Sequence, residues 1–333
     1  MKELTYGSVC SGIEAVSVAW DGLNLKPIWF SEIEPFPCAV LAHHYPTIPN
    51  HGDMTTLPER ILSGEIEAPD ILVGGTPCQA FSVAGLRNSL NDERGNLTLV
   101  FVRILNAINT IRRRSGLPDA VVLWENVPGV LSTRDNAFGC FLAALLGESK
   151  ELVPTGGRWT GAGIVRSDEC EIAWRILDAQ YFGVPQRRRR VFLVAGSRDR
   201  RVAEILFERP GESGNLEQGR KKGEESSAFI ESSFGTYRES DVSGTVKRTG
   251  GALSGGSETL IINTGASFLD FPKVRKLTPV ECERLQGLPD NYTRVSWRNK
   301  PAEQCPDTPR YMAIGNSMAV PVMRWIGERV CKA

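Results

Sequence analysis

The sequence predicts an α/β protein whose sheet is mostly parallel and covered by helices on both faces. Three observations carry this expectation. Short apolar runs at 4–9, 27–30, 70–73 and 120–124 alternate with helical patterns over the first 125 positions. These runs end in small or polar residues (Cys10-Ser11-Gly12, Ser31-Glu32, Gly74-Gly75-Thr76-Pro77, Glu125-Asn126), as strands do where they meet loops at one rim. The rhythm then stops: 27 of the 78 residues at 197–274 are Gly, Ser or Thr, so this stretch reads as loops on a small scaffold.

The elements follow in order. Residues 4–9 form a first strand, Cys10-Ser11-Gly12 a tight loop, and 13–21 a helix closed by Gly22. A second strand at 27–30 leads to Ser31-Glu32, and 35–44 form a second helix before a loop at Gly52-Asp53-Met54. The strand at 70–73 leads into a Gly-Gly-Thr-Pro turn, and a long helix with apolar periodicity covers about 95–112. After the strand at 120–124, residues 148–170 are rich in Gly and charge and are expected to be an exposed insertion. Strands are expected at 172–177 and 191–195. Order returns with a short helix capped by Thr278, started by Pro279 and ended by Gly287. A last helix is expected over 318–330, after Ala313-Ile314-Gly315-Asn316-Ser317.

A chain of 333 residues holds one large domain, or a large one with a smaller partner. Hydrophobic content of 41% and charged content of 23% are ordinary for a soluble globular protein, which places it in the cytoplasm given no membrane-length apolar run and no signal-peptide layout. Eight cysteines form no Cys-x-x-Cys pair and there are only three histidines, so no metal site is expected and most thiols read as small buried hydrophobes. Net charge is zero, but residues 1–150 carry 11 basic and 16 acidic side chains and the rest 28 and 23. The basic surplus peaks at Arg187-Arg188-Arg189-Arg190, followed by Arg198, Arg200 and Arg201, and phosphate binding is expected there. Alternation along a strand sends two of the first four arginines to one side.

The first loop follows a strand and opens a helix, where free N–H groups and small residues let a ligand approach. Glu32 ends the next strand, where a carboxylate takes two ribose hydroxyls of an adenosine, and Asp53 is placed to accept from an adenine amino group. Gly7 and Gly12 are five apart, so the dinucleotide glycine spacing is absent and S-adenosylmethionine fits better than NAD. Cys78 sits on a rigid turn straight after Pro77, and Glu125 lies at a neighbouring strand end. A nucleophilic sulfur and a proton-donating carboxyl on one rim suit covalent attack on a ring protonated as it is attacked.

Pro77-Cys78-Gln79 and Glu125-Asn126-Val127, in this order, resemble the catalytic motifs of the cytosine-5 DNA methyltransferases. The resemblance covers most of the chain. It extends through Ser8-Val9-Cys10-Ser11-Gly12, Glu32, Gly52-Asp53, Arg94-Gly95, Gln186-Arg187-Arg188-Arg189-Arg190, the stretch from Arg275 to Gly287, and Gly315-Asn316-Ser317. It implies the S-adenosylmethionine-dependent methyltransferase fold, with a catalytic and cofactor-binding domain at 1–196 completed by 310–333. A small, loop-rich target-recognition domain is implied at 197–309. Cys78 would add to carbon 6 of a flipped-out cytosine in duplex DNA, Glu125 would hydrogen-bond ring nitrogen 3, and Arg188 and Arg190 would hold the cytosine oxygen and Glu125. Cys10, Ser11, Gly12, Ile13, Glu32, Ile33, Asp53, Met54, Pro77, Asn316 and Ser317 would border S-adenosylmethionine. Cys10 and Glu14 stand where the family usually has Phe and Gly. A monomer is expected, with a cognate restriction endonuclease as a possible companion. A transfer-RNA methyltransferase of the same fold and a catalytically silent DNA-binding module are the alternatives. A nicotinamide oxidoreductase would need the missing glycine pattern.

Overall fold

The computed structural model describes residues 3–77, 97–207, 228–233, 236–240, 242–246, 259–263 and 273–333. Cys78, Gln79, Arg94 and Gly95 lie outside the described residues.

In chain order the main elements are β1 (Leu4–Val9), α1 (Ala15–Trp20), β2 (Leu25–Ser31), α2 (Pro35–His44), α3 (Leu57–Leu62) and β3 (Ile71–Gly74). Next come α4 (Leu97–Arg114), β4 (Val121–Asn126), α5 (Ala137–Leu146), β5 (Ala162–Arg166), β6 (Cys170–Asp178), β7 (Arg189–Ser197) and α6 (Ala203–Leu206). The chain continues through β8 (Ala228–Ser233), β9 (Thr236–Ser240), β10 (Thr259–Asn263) and β11 (Lys273–Lys276) to α7 (Pro279–Gln286), α8 (Asp307–Asn316) and α9 (Val320–Val330).

Seven strands form one sheet in the order β2-β1-β3-β4-β7-β6-β5. β2, β1, β3 and β4 pair in parallel, and β7, β6 and β5 continue antiparallel, so that β6 runs with the first four and only β7 and β5 run against them. The mostly parallel sheet is as expected. The strands read as unbroken apolar runs because both faces are covered. Along β4, Val122 and Trp124 face α3, α4 and α5 through Leu57, Phe101, Ile104 and Phe141. Val121 and Leu123 face the other way, toward Trp20 of α1, Leu206 of α6 and Met323 and Ile326 of α9. The C-terminal helix thus completes the first layer, and Trp20 Nε1 donates to the Met323 carbonyl across it at 2.8 Å.

Residues 148–170 are largely exposed, as expected, but not all loop: Trp159 packs edge-on against Phe138 and Trp174, with ring centroids 5.3 and 5.7 Å apart, and its Nε1 donates to Asn136 at 2.8 Å. β5 follows as the terminal strand, and Gly163 is required there because a Cβ would fall 2.2 Å from the Trp174 ring.

α6 packs on the large sheet, and α7 and α8 bury Cys282, Leu285, Ala313 and Ile314 against Ile13, Phe36 and Val40. Separate from the large sheet stands a four-strand antiparallel sheet, β11-β10-β8-β9. Fully buried Glu283 of α7 ties this return segment together, accepting from Asn291 N, Thr293 N and Arg310 Nη2 at 2.8, 2.9 and 3.2 Å.

The α7 start has the expected cap: Thr278 and Glu281 form a reciprocal capping box, and Arg275 pairs with Glu281 at 2.7 Å. Burial raises the Glu281 pKa, but Arg275 and the Thr278 amide outweigh it and bring it to about 2. Thr278→Ala should cost about 1 kcal/mol, the usual loss of a cap. A depressed pKa stabilises the fold above the ordinary glutamate range, and that contribution disappears as pH falls toward about 2. The melting-temperature gap between wild type and Glu281→Gln should therefore close on acidification, which calorimetry across that range checks. Among the described residues no helix is long and apolar enough to cross a membrane.

Candidate active site

The carboxyl ends of β1, β2, β3 and β4 share one rim, because these strands are parallel. The turn after β3 is pinned to the end of β4. Asn126 Nδ2 donates to the Thr76 carbonyl at 2.9 Å, Trp124 Nε1 donates to Thr76 Oγ1 at 2.9 Å, and the Thr76 hydroxyl meets that of Thr98 at 2.9 Å. Gly75 lets the turn lie against the catalytic candidate: a Cβ there would come 3.2 Å from Glu125 Oε2. The backbone three residues before Cys78 is thus in contact with Glu125. In the sequence Asn126 stands only as part of Glu125-Asn126-Val127; its place beside Glu125 is the signal that it holds the turn leading to Cys78.

Glu125 belongs to β4 itself rather than to the loop after it, and its side chain is 12% exposed. Arg190 Nε lies 3.1 Å from Glu125 Oε1, which accepts no hydrogen bond among the described residues. Burial raises the Glu125 pKa, against the pull of Arg188 and Arg190. Burial thus works toward the protonated form, the one that donates, while the two guanidiniums work toward the carboxylate.

The four arginines alternate as expected, with Arg188 buried, Arg190 half-buried and Arg187 and Arg189 exposed. One role departs from expectation. Arg188 donates to the carbonyls of Gly315, Ser317 and Val246 at 3.2, 2.7 and 3.4 Å, and its contact with Glu125 is electrostatic only. Its Nε is buried with no hydrogen-bond partner among the described residues. Burial, with Arg190 adding to it, pushes the Arg188 pKa down to about 9, still cationic at neutral pH. Gln186 is a second residue that sequence reasoning left without a role. Wholly buried, it donates to the Leu285 carbonyl at 2.7 Å and accepts from Val246 N at 3.2 Å, stapling α7 to the β7 lead-in.

The first loop has its own geometry. Cys10, Gly12 and Glu14 all have positive φ (49°, 57° and 56°), which turns the backbone sharply between β1 and α1. Glu32 Oε2 accepts from Gly12 N at 2.7 Å and Oε1 from the amides of Ile33 and Glu34 at 2.8 Å each. Ile33 beside it is 67% exposed, an apolar surface suited to the face of a base. Asp53 is exposed and accepts from Thr55 N, while Met54 is buried under it, with its sulfur 3.7 Å from Cys10 Sγ. Ser11 donates to the Ser8 carbonyl at 2.9 Å, and Pro77 is exposed at the rim. Ile13 departs from expectation: its side chain is wholly buried with Phe36 and Leu285, because the loop turns it toward the core. Asn316 ends α8 exposed, and Ser317 is buried with its carbonyl on Arg188.

Arg198, Arg200 and Arg201 are not at this rim. β7 pairs Phe192 with Glu125 and Ala195 with Val122, so its far end points away from the catalytic edge. Arg198 pairs there with Asp168 and Arg201 with Glu204. The expected phosphate face is therefore misplaced at these three positions.

A mostly parallel sheet of this order, with a tight loop after β1 and a carboxylate at the end of β2, is the S-adenosylmethionine-dependent methyltransferase fold. The chain also superposes on Spodoptera frugiperda DNMT2 with a TM-score of 0.65 at 16% identity, covering 98% of this chain and 99% of that one. The C-5 cytosine-specific DNA methylase model matches residues 4–149, 165–248 and 220–332, and the chain belongs to that family. It is 42% identical to a protein of Escherichia phage P1 named DNA N-6-adenine-methyltransferase, aligning over its whole length and spanning 62% of that relative. It is 27% identical to the type II methyltransferase M.DsaV of Dactylococcopsis salina, with 99% of this chain and 86% of that one covered. S-adenosylmethionine is the cofactor, and the anchored Glu32 carboxylate beside exposed Ile33 fits its adenosine.

Proposed function

We propose that the protein methylates carbon 5 of cytosine in double-stranded DNA, with Cys78 as the nucleophile and Glu125 as the acid. The observation that carries this reading is the Thr76–Asn126 hydrogen bond, which ties the turn leading to Cys78 against Glu125, whose pKa is raised. Several other cysteines are poor nucleophiles: burial pushes the thiols of Cys10 and Cys282 up to about 12 and those of Cys140 and Cys170 up to about 11.

Carbon 5 of cytosine is a weak nucleophile until carbon 6 is saturated. Addition of the Cys78 thiolate to carbon 6, with Glu125 giving its proton toward nitrogen 3, makes carbon 5 electron-rich. The bound cofactor supplies an electrophilic methyl group. After transfer, loss of the carbon 5 proton expels Cys78 and re-forms the aromatic ring. Arg190 keeps Glu125 oriented throughout, and Arg188 fixes the return segment at 315–317. A base inside a duplex cannot meet Cys78, so it is flipped out at a cost of a few kcal/mol. Target recognition falls to the small sheet and its neighbouring loops within 197–309, which hold no cofactor motif.

Glu32, Ile33, Ser11, Gly12, Asp53 and Pro77 are the cofactor contacts of this reading. Glu32→Ala should weaken S-adenosylmethionine by roughly 1–3 kcal/mol, the loss of a charged hydrogen bond to ribose. Calorimetry on the free enzyme checks it, and unchanged affinity would move the adenosine elsewhere.

The name of the phage P1 relative supports a second reading, transfer to the exocyclic nitrogen of adenine. That nitrogen needs no thiol addition. Incubation with labelled cofactor and duplex DNA, then nucleoside analysis, separates the two: 5-methylcytosine is expected, and N6-methyladenine alone would overturn the cytosine reading. A parallel arm with transfer RNA tests the RNA alternative.

A further inference from the structure

The alternation that buries Arg188 and turns Arg190 onto Glu125 leaves Arg187 and Arg189 exposed, and the mechanism uses neither. Among the described residues neither has an acidic partner. Both line an open cleft of about 670 Å³ where β5 stops and β6 runs on, with Tyr181, Gln180, Asp178 and Phe182 on its other walls. Tyr181 is 43% exposed. Asp178, the acid of the cleft, is already engaged: its Oδ1 accepts from Arg188 N at 3.0 Å and its Oδ2 from Gln180 Nε2 at 2.7 Å.

The position of the cleft decides what it meets. Arg189 precedes by three residues Phe192, the partner of Glu125 in the β4–β7 pairing. At 3.3–3.4 Å per residue this puts its backbone about 10 Å from the catalytic row, on the adjacent strand. The odd spacing from Phe192 sends Arg187 and Arg189 to the sheet face opposite Glu125, so a duplex reaching Glu125 meets them only by lying across the strand ends, with the phosphates that flank the target. The far-rim arginines lie at the other end of β7, and two of them are paired.

We propose that the Arg187–Arg189 cleft holds the phosphodiester backbone of duplex DNA flanking the flipped base. This rests on the DNA-methylating reading. The unpaired guanidiniums supply the charge, and the Tyr181 hydroxyl and Gln180 amide supply neutral donors to phosphate and sugar oxygens.

The test is the salt dependence of binding to a duplex carrying the mapped target site, measured on the full chain. The double variant Arg187→Ala/Arg189→Ala should lower the slope of log affinity against log salt by about one unit per arginine or somewhat less. Arg187→Lys/Arg189→Lys should restore most of the slope, a rescue that a purely structural role would not give. Tyr181→Glu, on the exposed lip, should weaken binding at low salt without touching the arginine strand. Arg198→Ala and Arg200→Ala should leave the slope unchanged. Neutral methylphosphonates on the phosphates flanking the target, scanned step by step, should weaken wild type at one or more positions and have little further effect there on the double alanine variant. An unchanged slope in that variant, or an equal methylphosphonate effect in both proteins, overturns the proposal. If wild type methylates DNA while the slope stays put, the cleft alone is wrong. If wild type neither binds nor methylates DNA, the DNA reading falls with it.

Discussion

Cys78→Ala should abolish methyl transfer and leave S-adenosylmethionine binding intact. The sulfur's role is confined to the base. Without its addition to carbon 6 the ring stays aromatic, carbon 5 keeps no usable electron pair, and no neighbouring group replaces a covalent bond. The cofactor contacts proposed above sit on a different loop, after β1 and β2, where Gly12 N donates to Glu32 Oε2 at 2.7 Å. A duplex with 5-fluorocytosine at the target should trap wild type as a covalent adduct, because fluorine blocks the elimination that releases the cysteine. The alanine variant should form no adduct. Turnover by Cys78→Ala with labelled cofactor would rule out the covalent route.

Glu125→Gln should slow transfer by 10²-fold or more, on the order of one general-acid contribution, with a much smaller change in DNA affinity. The amide keeps the shape and can still donate, but it cannot release a proton to nitrogen 3. The pH profile is the sharper readout. Burial raises the Glu125 pKa, so the neutral acid persists above the ordinary glutamate range. Rate should hold while that proton is present and fall as pH rises through the raised pKa; this alkaline limb should be missing in the Gln variant. Ionisation above that pKa also costs folding stability, so melting curves should show the Gln variant no less stable than wild type at alkaline pH. A full-rate Gln variant would make Glu125 structural.

Local signals were reliable where a residue's partner lies close in sequence. β1 and α2 have the expected bounds, and α7 has the capping box that Thr278, Pro279 and Gly287 announce. β4 runs two residues further than expected, because Glu125 and Asn126 still pair with Phe192 and Val191 of β7. α8 escaped notice: Pro306 and Pro309 flank its start, and its burial against α7 comes from tertiary packing. β5 was masked by Gly and charge in a strand whose side chains alternate between exposed and half-buried.

The site divided in the same way. The sequence singles out Cys78, Glu125, Glu32 and the four arginines as residue types near strand ends, and of these the period-two separation of Arg188 and Arg190 from Arg187 and Arg189 is seen in their burial. The basic cluster at 198–201 misled, since charge density along a chain does not say at which end of a strand the active rim lies. That depends on β7 running antiparallel to β4, a pairing between segments some seventy residues apart.

By itself, then, the sequence determined the early strands and helices, their alternation and the residue types near each strand end, because hydrophobic period, caps and turn residues act over a few positions. Strand order, the sheet edge at β5, the Asn126 tie on the cysteine turn, the Gln186 staple and the Arg188 bonds to 315–317 were decided only by the tertiary structure. Each joins groups far apart along the chain, and such bonds form only where long-range packing buries polar groups that must then find partners.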